Sequence, residues 1–297
     1  MDSIPRMAAP PGTLALVEVL RRSAAYLASA GVSTPRLEAE LLLSHALAIS
    51  RLDLYLQFER PLTQAELVPV RSLLRGRAAG RPLAYLVGEK EFFGLPFTVS
   101  EAVLVPRPET ELLVELAIKR AAEMGLGIKA LDLGCGSGCV GISLAARVAG
   151  IAVDAVDSEA EAVAVAELNV GRHQLTHRVH IHQGSWADPV RECGPYHLVL
   201  SNPPYLTTEE WRQLDPSVRE FEPRAALDGG ADGLACYRDL IPAVLSVAAQ
   251  GVTVLLECDP RRISGVAETC RLAWPTAKLT VHPDLRGRER VLEVSLV

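Results

Sequence analysis

The sequence predicts an α/β protein: a doubly wound, Rossmann-like parallel sheet with a terminal antiparallel strand, preceded by a small N-terminal helical bundle. Three observations carry this. After about Glu111, apolar runs of strand length alternate with segments of helical periodicity. A glycine-rich turn follows the first of those strands. The first 80 residues show helix-start signals and helical spacing but no strand pattern.

Residues 14–29 are rich in Ala and Leu at helical spacing, and Gly31 ends the run. Thr34 is expected as an N-cap with Pro35 at the first helical position, opening a helix over 36–48. Thr63-Gln64-Ala65-Glu66 reads as a capping box for a helix reaching about Ala79. Residues 1–80 are therefore expected to form a domain of four or five helices. Residues 81–110 are punctuated by Pro82, Gly88, Gly94 and Pro96 around Phe92, Phe93, Phe97 and Val99, which predicts a connector containing a β-hairpin. Residues 111–297 form the sheet domain. Its strand cores are 130–133, 151–156, 179–182, 197–200, 252–257, 279–282 and 291–294, with helices over 140–148, 160–170, 234–249 and 263–272. Ser158 and Glu161 read as a capping box for the second of these. The last two strands connect through 283–289 with no helix, so that one of them runs antiparallel.

Hydrophobic residues make up 49% of the chain, enough for a sizeable core. No stretch is apolar enough to span a membrane, and residues 1–11 lack the pattern of a signal peptide, so a cytoplasmic protein with no membrane partner is expected. Cys135, Cys139, Cys193, Cys236, Cys258 and Cys270 match no zinc spacing and read as reduced thiols, and no metal centre is expected. His180 and His182 alternate along a strand and read as strand residues. The net charge of −6 is uneven: residues 1–90 carry 11 basic and 8 acidic side chains, the remainder 19 and 28. The acidic second part argues against a polyanionic substrate, and no direct nucleic-acid partner is expected.

Leu131-Asp132-Leu133-Gly134-Cys135-Gly136-Ser137-Gly138 closes the first sheet strand and opens a helix. Its glycines let a ligand approach the backbone. An acid at the strand end would repel a pyrophosphate but suits a cation, which points to S-adenosylmethionine with its ammonium and sulfonium groups. Asp157 ends the next strand, where a carboxylate accepts both hydroxyls of a ribose; a helix-start acid is the competing reading.

The fourth strand ends at Asn202-Pro203-Pro204-Tyr205. Amide and exocyclic amino nitrogens are weak nucleophiles with two in-plane N–H donors. The Asn202 oxygen can accept one and the Pro203 carbonyl the other, Pro204 stiffens the turn, and Tyr205 can cover the planar group. Catalysis then consists of positioning and exclusion of water, on an amide or a nucleobase alike.

In this order the motifs resemble the class I amino-methyltransferases. The segment Val103-Leu104-Val105-Pro106-Arg107-Pro108-Glu109-Thr110-Glu111-Leu112-Leu113-Val114-Glu115 narrows the likeness. It resembles the entry to the catalytic domain of the release factor glutamine methyltransferases, often called HemK or PrmC. Residues 35–43, 81–88, 221–234 and 284–291 resemble that family too. The resemblance implies methylation of N5 of the glutamine in the Gly-Gly-Gln motif of class I peptide chain release factors, with the helical domain helping to hold the protein; a monomer is expected. It assigns cofactor contacts to Gly134, Cys135, Gly136, Ser137, Gly138, Asp157, Trp186 and Asn202. The substrate glutamine falls to Asn202, Pro203, Pro204 and Tyr205, with Asn202, Pro203 and Tyr205 as the catalytic set. A ribosomal-protein glutamine is the alternative substrate, and a DNA adenine a more distant one. Ser185 stands where the family usually has Asp, which implies a weaker hold on the adenine amino group. Glu257-Cys258-Asp259-Pro260-Arg261-Arg262 replaces the usual Glu-x-Gly-x-x-Gln and is expected to alter loop geometry alone.

Overall fold

The computed structural model describes residues 14–296, so the signal-peptide reading of 1–11 lies outside the described residues. The chain divides into two compact units, Met1–Gly88 and Glu89–Val297. No helix among the described residues is long and apolar enough to cross a membrane.

In the first unit β1 (Leu14–Ala15) leads into α1 (Leu16–Ser29), α2 (Pro35–Leu47) and α3 (Arg51–Leu56). Then come β2 (Pro61–Leu62), which pairs antiparallel with β1, α4 (Gln64–Ala78) and α5 (Leu83–Val87). Leu16, Leu20 and Leu27 of α1, Leu42 and Leu43 of α2, Leu54 of α3 and Leu67 and Val70 of α4 meet in one core. The Thr63 capping box forms: the Thr63 hydroxyl accepts from the Glu66 N–H at 3.3 Å, and the Glu66 carboxylate accepts the Thr63 N–H at 2.8 Å. Thr34 does hold the N-cap position before Pro35, but its hydroxyl donates to Glu38 Oε1 at 3.2 Å and caps no backbone N–H. Its ψ of 57° departs from the extended conformation that aims a cap side chain at the first turn. Burial alone would raise the Glu40 carboxyl, yet hydrogen bonds from Tyr55, Arg51 and Arg36 hold it down at about 2 and tie α2 to α3.

The second unit opens with the hairpin β3 (Glu89–Phe92) and β4 (Leu95–Thr98). There follow α6 (Glu111–Met124), β5 (Lys129–Leu133), α7 (Cys139–Arg147), β6 (Ala152–Asp157), α8 (Ala160–Arg172), β7 (Val179–Gln183) and β8 (Tyr196–Ser201). After the short α9 (Thr208–Arg212) and α10 (Pro216–Arg219) come α11 (Ala235–Leu245), β9 (Ala248–Glu257), α12 (Ile263–Ala273), β10 (Lys278–Pro283) and β11 (Glu289–Ser295). The seven-stranded sheet has the order β10-β11-β9-β8-β5-β6-β7. Strands β5 to β9 run parallel, and β11 is antiparallel to both of its neighbours. The reversed strand is thus the last in sequence but lies inside the sheet, with β10 at the edge.

Both faces of the sheet are covered, and side-chain alternation divides them. Ala130, Leu198 and Leu200 join the core under α6 and α7, whereas Leu131, Leu133 and Val199 join the core under α11 and α12. The helix expected over 234–249 stops at Leu245. The Val247 carbonyl accepts the Tyr196 N–H at 2.8 Å, and Ala248 pairs with Tyr196, so pairing with β8 draws an apolar helical run into β9. The capping box expected at Ser158 and Glu161 does not form. Glu159 occupies the N-cap of α8, one residue later, and the Ser158 hydroxyl donates to Glu159 Oε1.

Candidate active site

The chain builds β5, β6 and β7 outward in one direction, then returns to add β8 and β9 on the other side of β5. The crevice at such a switch point collects the loops that leave the strand C-termini. Here it is a cavity of about 240 Å³, lined from 102–110, 132–140, 156–162, 184–186, 202–204 and 223–226, with Cys236.

One wall is the glycine loop. The Gly134 and Cys135 N–H groups both donate to the Val156 carbonyl, at 2.9 and 3.0 Å, and moor the loop to β6. Gly136, with φ +55°, donates its N–H to Asp157 Oδ2 at 2.8 Å, while Asp157 Oδ1 accepts the Glu159 N–H at 3.1 Å. Any other residue at 136 would strain the left-handed backbone that makes this contact. Asp132 lies behind the loop, 2% exposed, and accepts the Gly141 N–H at 2.9 Å. Burial pushes its carboxyl up to about 7, with the Asp157 charge adding to the shift. Burial also raises Asp157. Neither carboxylate has a Lys or Arg partner among the described residues. Arg107, the one basic lining residue, is held by Glu222 at 2.5 Å. The donor chemistry therefore fits a cation.

The opposite wall follows β8. Asn202 donates its Nδ2 to Thr110 Oγ1 at 3.1 Å, and both residues line the cavity. Thr110 ends the short 3₁₀ turn Pro108–Thr110 that leads into α6. Of the residues singled out in the sequence, Gly134, Cys135, Gly136, Ser137, Asp157, Trp186, Asn202 and Pro204 line this cavity. Gly138, Pro203 and Tyr205 do not. Gly138 caps α7, where an added Cβ would lie 2.9 Å from Ile142. Pro203 is buried, and Tyr205 packs against the core that contains Tyr237 and Cys258. Trp186 adopts φ +44°, rare for an aromatic residue, beside Ser185 on the cavity wall.

Sequence reasoning missed the frame around Asn202. Glu222, 5% exposed, accepts the Val105 N–H at 3.2 Å as well as Arg107, so the 103–115 and 221–234 motifs grip each other. The glycines of the second motif press on the tetrapeptide. A Cβ on Gly229 would lie 2.6 Å from the Pro204 carbonyl oxygen, and one on Gly233 2.4 Å from that of Tyr205. The signal was there, in glycines spaced through 229–233, but it names no contact partner by itself. His182 also has neighbours that sequence spacing hid: its Nε2 meets Asp154 Oδ1 at 2.7 Å, with Cys193 nearby. Asp154 Oδ2 is engaged by Lys129 Nζ and the Tyr196 hydroxyl, each at 2.7 Å, which makes the cluster a filled ion-pair network. The six cysteines are free thiols.

A family model described as the PrmC N-terminal domain matches residues 18–88, and one described as the methyltransferase small domain matches 108–215. The release factor glutamine methyltransferase of Chlorobaculum tepidum is 42% identical over 287 residues, 93% of this chain and 96% of its own. That of Geobacter sulfurreducens is 41% identical over 251 residues, 84% and 86% of the two chains. A methyltransferase from Pyrococcus furiosus superposes with a TM-score of 0.51 at 17% identity, over 76% of this chain and 96% of that one, a likeness of fold.

Proposed function

Because this chain belongs to the release factor glutamine methyltransferase family, we propose that it transfers a methyl group from S-adenosylmethionine to N5 of the glutamine in the Gly-Gly-Gln motif of class I peptide chain release factors. The observation that carries the chemistry is Asn202: it sits at the end of β8 on a shared cavity wall, with its Nδ2 committed to Thr110.

When bound, the cofactor supplies an electrophilic methyl group on a sulfonium centre. Asp132 and Asp157 give that wall its negative potential, and Asp157 retains lone pairs for ribose hydroxyls beyond the two backbone N–H groups it accepts. Gly134, Cys135, Gly136 and Ser137 bring backbone to the ligand, Gly138 sets the start of α7 behind them, and Trp186 supplies an apolar wall. On the other side, the Asn202 oxygen and the Pro203 carbonyl accept the two in-plane N–H groups of the substrate amide. Pro204 keeps the turn stiff, and Tyr205 backs it from the core. With both donors held, the nitrogen lone pair would be free to attack the methyl carbon as its bond to sulfur breaks, the thioether would leave with that electron pair, and the proton of the methylated nitrogen would pass to solvent. The cytoplasm and a monomeric state suit a translation-factor substrate.

Incubation with labelled cofactor and a class I release factor, a ribosomal-protein fraction or duplex DNA tests this. The expected result is label on the Gly-Gly-Gln glutamine. Label confined to ribosomal protein or to DNA would replace the substrate. In Asn202→Ala, transfer should fall about 100-fold or more with cofactor affinity largely kept, as for loss of one preorganised polar group at a reacting centre. Undiminished transfer would remove Asn202 from the chemistry.

A further inference from the structure

The tetrapeptide is anchored where it leaves the sheet, but the chain beyond it has little of its own to fix it. Upstream, Ser201 pairs within β8, and its hydroxyl donates to the Leu133 carbonyl at 2.7 Å. Downstream, the chain runs from Tyr205 into α9, a helix of five residues that is too short to be stable by itself. Thr207 and Glu210 form the capping box of that helix. The Thr207 N–H donates to Glu210 Oε2 at 2.9 Å, and the Glu210 N–H donates to Thr207 Oγ1 at 3.1 Å.

Two arginines reach the same carboxylate from another strand. Arg261 and Arg262 lie in the turn between β9 and α12, and β9 is the parallel neighbour of β8. Arg261 Nη1 meets Glu210 Oε1 at 2.7 Å, and Arg262 Nη2 meets Glu210 Oε2 at 2.5 Å. Asp259 braces Arg261 as a fork, with Nε on Oδ1 at 2.8 Å and Nη2 on Oδ2 at 2.9 Å. The Arg262 side chain is the more enclosed, 14% exposed against 60% for Arg261. Its Nε and the Tyr205 carbonyl meet over Gly233, where an added Cβ would lie 2.8 Å from the one and 2.4 Å from the other. That Nε is buried without a hydrogen-bond partner, so Glu210 is what holds this guanidinium among the described residues. Arg262 thus spans the last residue of the tetrapeptide and the helix that follows it.

We propose that Arg261, Arg262 and Glu210 are positioning residues, a clamp that fixes the exit of the tetrapeptide and so the place of the Pro203 carbonyl beside the Asn202 oxygen. This rests on the reading of those two oxygens as acceptors for the substrate amide. A segment tied at one end pivots there, and an amide held by two acceptors is aligned only if both keep their places. Both departures from the usual Glu-x-Gly-x-x-Gln belong to this network: Asp259 stands in place of Gly and Arg262 in place of Gln. A Gln at 262 could give Glu210 one N–H and no charge, whereas Arg gives a charged donor, and Asp259 adds the brace on Arg261.

The test is steady-state methyl transfer at saturating cofactor, on whichever substrate the wild type labels, with cofactor affinity measured separately by calorimetry. Arg262→Gln and Glu210→Gln should each lower kcat by about 10-fold, the scale of a reacting group allowed to drift, with substrate KM and cofactor Kd within about threefold. Glu210→Gln keeps the capping box, which Gln also serves, so its loss reads the ion pairs alone. The double variant should fall no further than the worse single one, because each change breaks the same tie. Arg262→Lys, which keeps a cation for Glu210, should stay within about threefold of wild-type kcat. Wild-type kcat in both single variants, losses that add in the double, a raised KM with kcat unchanged, or a Lys variant no better than Gln would each overturn the clamp. If Arg262→Gln does not fold, the exposed Arg261→Gln takes its place in the cycle. Full activity in Asn202→Ala would instead sink the underlying reading of the acceptors, which keeps the two failures distinct.

Discussion

Asp132 is a carboxylate sealed in the protein with one backbone N–H for company. Its raised pKa has a definite sign. A group that binds its proton more tightly in the folded state stabilises the fold below its unfolded value, and that contribution is lost as pH rises through the folded value. Asp132 and Glu257, both near 7, therefore make the unliganded protein less stable at pH 8 than at pH 6. Paired acids such as Glu40, held at about 2, stabilise the fold throughout this range and lose that contribution only at much lower pH. Asp132→Asn is expected to raise the unliganded Tm at pH 8 by about 3–5 °C and to weaken cofactor binding about 10-fold or more, since it removes a charge from the cation site. Calorimetry reads both, and an unchanged Kd would separate Asp132 from the ligand. Ser185 predicts the opposite: Ser185→Asp should tighten cofactor binding about fivefold, as a charged acceptor replaces a neutral one. These residues differ in how legible they were. Asn202 announced itself as a polar amide between an apolar strand and two prolines. Its partner Thr110 is 92 residues away, and Arg107 lies 115 from Glu222. Spacing along a chain carries no record of which loops a switch point brings together.

Among the elements, those set by local chemistry could be read directly. The Thr63 capping box and the reversed final hairpin need only neighbours in sequence. α11 failed that test, because pairing with β8 ended the apolar run that the sequence extends to residue 249. The 229–233 segment shows the same division. Its glycines are visible in the sequence, but their reason is the backbone of Pro204 and Tyr205 pressed against them. Gly229→Ala and Gly233→Ala should each cost about 2–4 kcal/mol of stability, from overpacking at both and from added backbone strain at Gly233, whose φ is +74°. Gly251→Ala is the control. Its φ of +74° equals that of Gly233, but nothing lies within 4 Å of the added Cβ, and the cost should be near 1 kcal/mol. Denaturant melts of the three variants would show the gap, and equal losses would mean that the close approach is not what the glycines serve.

At the scale of the whole molecule, each unit has its own core, and every residue lining the cavity at the switch point belongs to Glu89–Val297. A fragment of residues 89–297 should fold and bind cofactor with a Kd within about threefold of the full chain, as expected of a domain with its own core. If the helical unit holds the protein substrate, the KM for the release factor should rise about tenfold or more in that fragment. A fragment that binds cofactor and keeps the full-length KM would free the helical unit from that role. The position of β11 bears on how the enzyme comes into being. Synthesis is vectorial, and β11 is made after β9 and β10, yet it must slip between them, with Val291 beside Glu257. A nascent chain that has emerged only as far as β10 holds the glycine loop and Asn202 while one flank of Glu257 is still bare. The sheet is thus closed by the last strand to be made, and a chain that stops before β11 leaves β9 with an unpaired edge beside the residues that follow Asn202.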